Sequence, residues 1–289
     1  MRIIKKIIDH IKEDKSLLWS ILWLAGLLIL WIWDNIFLFT PALKKLETAF
    51  FNTILISLLV TIISLLLAWS LTMMAHYTRE HYKGIFHYPL NFGVNLIRSI
   101  PQILGILLGY IFISYQIVNN QLSSFTTIFF IAVIISLFVF LEISDLMQER
   151  ISHFQKTDFY NSGRVCGISE FHLVNFDILY KNSWIHIFNK MIAVFGMSIF
   201  LICSIDFIIS VGLSTGVSAV NMPATLGSML AQLDSKQDIL AIGTTFLNPS
   251  YLPNLFFRHL QGISTAFLIV FSLFSMYKIS NGFAKKYQI

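Results

Sequence analysis

The sequence predicts an all-α integral membrane protein with about six transmembrane helices and both termini in the cytoplasm. Two observations carry this. Of 289 residues, 56% are apolar and only 12% charged, and mean hydropathy is +0.73, whereas soluble domains carry about 25% charge. The apolar residues also cluster into six runs, at 17–37, 50–75, 93–117, 123–145, 187–211 and 259–279. Each approaches the roughly 20 helical residues that a bilayer core demands.

The first run follows a basic arm, Arg2 to Lys15. It is too long for the apolar part of a signal peptide, and no small-residue cleavage pattern follows it, so it reads as an uncleaved span. Trp19, Trp23, Trp31 and Trp33 near its ends fit interfacial belts. The third run contains Pro101, which removes a backbone donor and should kink or start the helix. A kink would permit rocking between two states; a static bend is the alternative. The organisation that follows is a cytoplasmic arm at 1–16, a membrane domain at 17–284 and a short tail at 285–289.

Orientation comes from basic residues. They collect in the arm, after the second run (Arg79, Lys83), after the fourth (Arg150, Lys156, Arg164, Lys181) and at the end (Lys278, Lys285, Lys286). This alternation is the positive-inside pattern, and it explains the net charge of +5 without nucleic acid. Two connections are long, a cytoplasmic one at 146–184 and an external one at 212–258. Long loops concentrate function. The external one carries Gly212, Gly216, Pro223, Gly227, Pro249 and Pro253; it reads as a partly re-entrant cap or as an ordinary folded loop.

The cytoplasmic connection reads DFYNSGRVCGISEFHLVNFDILYKNSW from Asp158 to Trp184. Gly167 can supply a positive φ, and Ser169 before Glu170 can start a short helix. Two short helices joined at Gly167 would form a knob on the cytoplasmic face. Its alternative role is only to cap the bundle.

This stretch resembles the EAA loop of ABC importer permeases, in the form found in the dipeptide/oligopeptide/nickel branch. Gly167 takes the place of the motif glycine, Ser169 matches its serine, and Ile178 and Leu179 match its aliphatic pair. Asn161 stands where the glutamate would be, and Tyr180 where the proline would be. Arg98-Ser99-Ile100-Pro101 opens the third run, as a similar S-I-P does in this branch. Val211 to Val217 and Leu226-Gly227-Ser228-Met229-Leu230 resemble its external segment, with Leu226 in place of a tryptophan. The pieces keep the family's order from about Phe50 to Ala284. The G-T-D-x-x-G-R-D motif expected before the second span is absent. The Asp206 region and Ser280-Asn281-Gly282 look most like the antimicrobial-peptide-uptake subgroup.

The resemblance implies a type I importer permease in a bacterial plasma (inner) membrane. It implies a second permease beside it, two ATPase subunits beneath, and an external substrate-binding protein that delivers peptide. Gly163, Gly167, Ile168, Ser169, Glu170 and Phe171 would then lie at the ATPase contact. The chain has no G-x-x-x-x-G-K-[ST] loop. It is expected not to be an enzyme and to hold no cofactor; ATP and Mg would sit on the ATPase subunits.

Charges inside apolar runs are the other candidates, because an intramembrane ionisable group usually faces a cavity or a partner. Asp206 lies late in the fifth run, where it either lines the translocation path, favouring cationic cargo, or pairs with a neighbouring helix. Arg98 and Pro101 open the third; Arg98 is near enough to the interface to snorkel. Glu142 and Asp145, closing the fourth, read as interfacial. His76, His81 and His87 are spaced by five and six, which suits no single helical face. Cys166 and Cys203 read as unrelated thiols. No nucleophile–base pair stands out. A self-sufficient secondary carrier or channel is the competing class, but it predicts inverted repeats, and none is visible. A membrane enzyme would need clustered polar residues at one depth.

Overall fold

The computed structural model describes residues 14–81, 87–119, 123–212, 222–232, 235–254 and 260–287. The basic arm as far as Lys12, Lys83, Gly216, Val217 and Arg258 lie outside them. Among the described residues every regular element is helical. Five helices are long and apolar enough to cross a membrane: α1 (Lys15–Phe37), α2 (Thr40–His81), α5 (Ser124–Gln155), α8 (Trp184–Gly212) and α11 (Leu260–Tyr287). A bent pair, α3 (His87–Ser99) and α4 (Gln102–Val118), makes a sixth if counted as one span.

That pair corrects the expectation of one span over 93–117. The chain turns by 94° at Ile100-Pro101. Proline disfavours helical geometry in the residue before it, so α3 ends at Ser99 and α4 starts immediately after Pro101. α3 is a separate amphipathic helix: Tyr88, Phe92 and Leu96 are exposed, while Val94 and Ile97 pack on the core.

Three other boundaries move. α2 starts ten residues before the expected run, with Pro41 in its first turn, a position that tolerates a missing donor. Its 42 residues make it about 63 Å long at 1.5 Å per residue, well beyond a bilayer core. α5 continues to Gln155, so the first ten residues of the presumed loop at 146–184 are still helix. α11 runs through Lys285 and Lys286, the expected tail. In each case the residues beyond the apolar run are charged but are not helix breakers. Hydropathy marks where lipid ends, not where the helix ends.

The core lies between α2, α4, α5 and α8, around Ile56, Ile106, Ile135, Ile143 and Ile202. Buried Thr53, Ser57, Thr61, Ser64 and Thr72 form one face of α2. α1 stands outside this core, and polar bonds to α11 hold it in place. Lys286 Nζ donates to Asp14 Oδ2 at 2.6 Å, Trp23 Nε1 to Ser272 Oγ at 3.2 Å, and Ser264 Oγ to Asp34 Oδ1 at 2.6 Å. These contacts put residues 14 and 287 at the same end of the bundle, called the near end below.

Gly282 lets the two helices meet there. A Cβ on it would lie 2.6 Å from the Ser16 backbone nitrogen, and a backbone atom cannot rotate away. Gly282→Val should therefore push α1 off α11 and cost about 1–3 kcal/mol. Thermal unfolding in detergent measures this; an unchanged midpoint would contradict the packing.

Candidate functional site

The connection between α5 and α8 folds into a knob at the near end. Its first helix is α6 (Asp158–Val165). The chain then turns at Gly167, with φ of +79°. Cys166 follows α6 and Gly167 takes the left-handed position. Gly167 N donates to Arg164 O at 3.1 Å, and Ile168 N to Gly163 O at 3.1 Å. This is the pair of bonds that closes a Schellman motif, and glycine is the residue it favours. A Cβ on Gly167 would meet nothing within 4 Å, so the requirement is one of backbone conformation and not of space.

Ser169 then caps the next turn, its hydroxyl accepting from His172 N at 3.4 Å. The turn α7 (Glu170–His172) passes directly into a π-helical stretch, Leu173–Asn182. Leu173, Val174, Ile178 and Leu179 are buried in the main core. Gly163 makes room for this: a Cβ there would lie 2.9 Å from Leu173 Cδ1. Ile178 and Leu179 thus serve as the knob's root.

Glu170 fastens the knob to the bundle. Its Oε1 accepts from the Tyr160 hydroxyl at 3.1 Å and lies 2.9 Å from His76 Nε2 on α2. Its Oε2 accepts from Arg164 Nη1 at 2.8 Å. Burial pushes the Glu170 carboxyl up, but the bonds from Tyr160 and His76 and the nearby Arg164 charge outweigh it and hold it below its ordinary value. Two further ties join knob and bundle: Trp69 Nε1 donates to Asn175 Oδ1 at 2.7 Å, and Arg150 Nε to Ser183 Oγ at 3.3 Å.

The sequence candidates thus separate into two groups. Gly163 and Glu170 face inward and build the knob; Gly167 and Ser169 shape its turn. Phe171, 63% exposed, and Ile168, more than a third exposed, face outward. Val165, at 88%, and Phe159 join them, and neither stood out in the sequence. A rigidly anchored projection with an apolar tip suits docking to another protein: such exposed apolar patches mark interaction sites, and a buried aromatic often dominates an interface.

Arg98 lies at the end of α3, ion-paired with Asp145 of α5, both about half exposed. Glu142 Oε2 pairs with Lys190 Nζ of α8 at 2.5 Å. The acids that close the fourth run therefore each hold a basic residue from another helix. Pro101 is exposed at the bend.

Asp206 lies elsewhere, at the far end of α8. It is 8% exposed and accepts from the Thr225 hydroxyl. Thr225 precedes a short helix, α9 (Leu226–Gln232), seated between α2, α8 and α11 and followed by α10 (Ser235–Leu247). Asp206 is thus largely enclosed by groups of its own chain. Sequence spacing showed neither Thr225 nor His76 as a partner.

No protein-family model matches the chain, and no curated protein matches it in sequence.

Proposed function

We propose that this chain is the membrane-spanning permease subunit of an ATP-driven ABC importer, its near end facing the cytoplasm of a bacterium. In this reading it pairs with a second permease to form the path for peptides, including cationic ones, delivered by an external binding protein. Separate ATPase subunits supply the hydrolysis. The observation that carries the proposal is the knob around Gly167. It projects from the end that holds both described termini, exposes Phe171, Ile168 and Val165, and is locked to a transmembrane helix through Glu170 and His76. A coupling element needs both properties, an adhesive tip and a stiff link to a helix that crosses the membrane. The resemblance to the EAA loop names three of these residues, Ile168, Glu170 and Phe171.

The test is purification of the tagged chain from its native membrane. A P-loop ATPase should co-purify, with ATP hydrolysis stimulated by the complex. Phe171→Ala should weaken that association by about 2 kcal/mol, roughly 30-fold, as for a buried aromatic at an interface. If no ATPase co-purifies and the chain alone catalyses gradient-driven flux in vesicles, the secondary-carrier reading replaces this one.

A further inference from the structure

The pairing of α1 with α11 leaves a groove that the importer reading does not use. The two helices are tied at spaced points, from Lys286 and Asp14 at the near end to Ser264 and Asp34 towards the far end. Between these ties they wall a groove of about 590 Å3. Leu22, Ile29 and Leu30 of α1 line it opposite Ile263, Phe267 and Phe271 of α11. Leu22, Ile29 and Phe267 are exposed, so the groove opens to the surroundings of the bundle. Trp19 lies at its near end and Trp33 at its far end.

Length and lining suit hydrocarbon. From Trp19 to Trp33 the groove follows about 21 Å of helix at 1.5 Å per residue. One leaflet's share of a bilayer core is about 15 Å, so an acyl chain from the near leaflet fits lengthwise. Another transmembrane helix is a poorer occupant, because helices approach each other in a bilayer over small residues. Here Gly26 is covered by the Phe271 ring, which an added Cβ would meet at 2.5 Å, and Ser264 is engaged by Asp34. What remains is mostly bulky and branched, a surface that a fluid chain can follow.

The near end of the groove is cationic. Lys278 Nζ stands 5.9 Å from the centre of the Trp19 ring and 5.1 Å from that of Phe274. Those two rings meet edge to face at 5.2 Å. Lys286 is engaged by Asp14, but among the described residues no carboxylate pairs with Lys278. Its ammonium is thus held beside the last residue of the groove. Tryptophans mark the membrane interface, and a long lysine reaches the headgroups from there. A phosphate at that point supplies the counter-charge that the chain itself does not.

We propose that the groove between α1 and α11 binds one anionic phospholipid of the near leaflet. An acyl chain lies along Leu22, Ile29 and Phe267, and the phosphate sits at Lys278. The bound lipid fills the space between the ties that hold α1 to the bundle. This inference does not rest on the importer reading, since it concerns one chain and its bilayer.

The test uses the full chain in neutral detergent, titrated with dioleoyl phosphatidylglycerol or dioleoyl phosphatidylcholine. Native mass spectrometry counts the lipids bound. The first phosphatidylglycerol should bind about fivefold more tightly than the first phosphatidylcholine, the gain that one lysine near an anionic headgroup gives. Lys278→Gln should remove that preference and Lys278→Arg should keep it. Lys285→Gln, at the same end, should leave it unchanged. Ala25→Phe, at an exposed position in the groove, should weaken the first binding of either lipid at least about tenfold, the effect of unburying about two methylenes. Equal affinity for the two lipids in the unmutated chain, or a preference that survives Lys278→Gln, would overturn the site. So would unchanged binding of both lipids by Ala25→Phe. If the unmutated chain instead runs as a dimer that Ala25→Phe splits, the groove is a contact between copies and the lipid assignment fails.

Discussion

Replacing Glu170 with alanine should free the knob from the bundle while leaving the transmembrane helices folded. The carboxylate satisfies His76 and Tyr160, both part-buried, and Arg164, which is half exposed. Each buried partner left unmade costs about 1–3 kcal/mol; the exposed arginine adds little. The loss should be about 2–4 kcal/mol, so hydrogen exchange across 158–172 should accelerate at least 30-fold. The core helices should keep their protection, because Leu173, Ile178 and Leu179 remain buried on the bundle side. Unchanged exchange in the knob would sink the role assigned to Glu170.

The same lock has a pH signature. The folded Glu170 carboxyl titrates below its ordinary value of 4.5. A depressed carboxyl contributes stability that is complete above the unfolded value and is lost as pH falls through the folded one. Knob protection should therefore decline as pH falls below about 4.5. Under the importer reading, Glu170→Ala should also uncouple hydrolysis from transport while the outward-facing Phe171 still binds the ATPase.

What could be read in advance follows a physical division between local and distant. The positive φ at Gly167 and the cap at Ser169 are decided by neighbours within five residues, so the residue types announce them. The apolar runs announced α1, α8 and most of α11 for the same reason. The bend at Pro101 was half legible. Proline predicted an interruption, but Leu90, Phe92, Val94, Leu96 and Ile97 keep the hydropathy high across it, and an average over a window cannot register a right-angle turn. The extensions of α2 and α5 were hidden because charged residues leave the bilayer without leaving the helix. His76 and Glu170 are 94 residues apart, and their meeting depends on how α2 packs on α5. Asp206 was conspicuous as an acid among apolar residues. Its partner Thr225 was not, since nothing in a threonine marks it as the partner of a buried acid.

Gly227→Ala should unseat the short helix α9 from α8, although the same substitution at a similarly crowded glycine should not. At Gly26 an added Cβ would meet Phe271 Cε1 at 2.5 Å, and at Gly105 it would meet the Phe138 ring at 2.2 Å. Both obstacles are side chains, which a rotamer change can move. At Gly227 the obstacles are Cys203 O at 2.3 Å and Cys203 Cα at 2.6 Å, main-chain atoms fixed within the hydrogen bonding of α8. The helix cannot give way locally, so Leu226–Gln232 must move instead. Overpacking of this kind costs about 1–3 kcal/mol, set against the few hydrogen bonds that hold α9 and its approach, among them Asn52 Nδ2 to Ala224 O and Leu226 N to Thr53 Oγ1. In a Cys166→Ser background, maleimide labelling of the buried Cys203 should then rise about tenfold, with Gly26→Ala remaining at the unmutated rate. Equal Cys203 reactivity in Gly227→Ala and the unmutated protein would mean that the short helix does not cover the far end of α8.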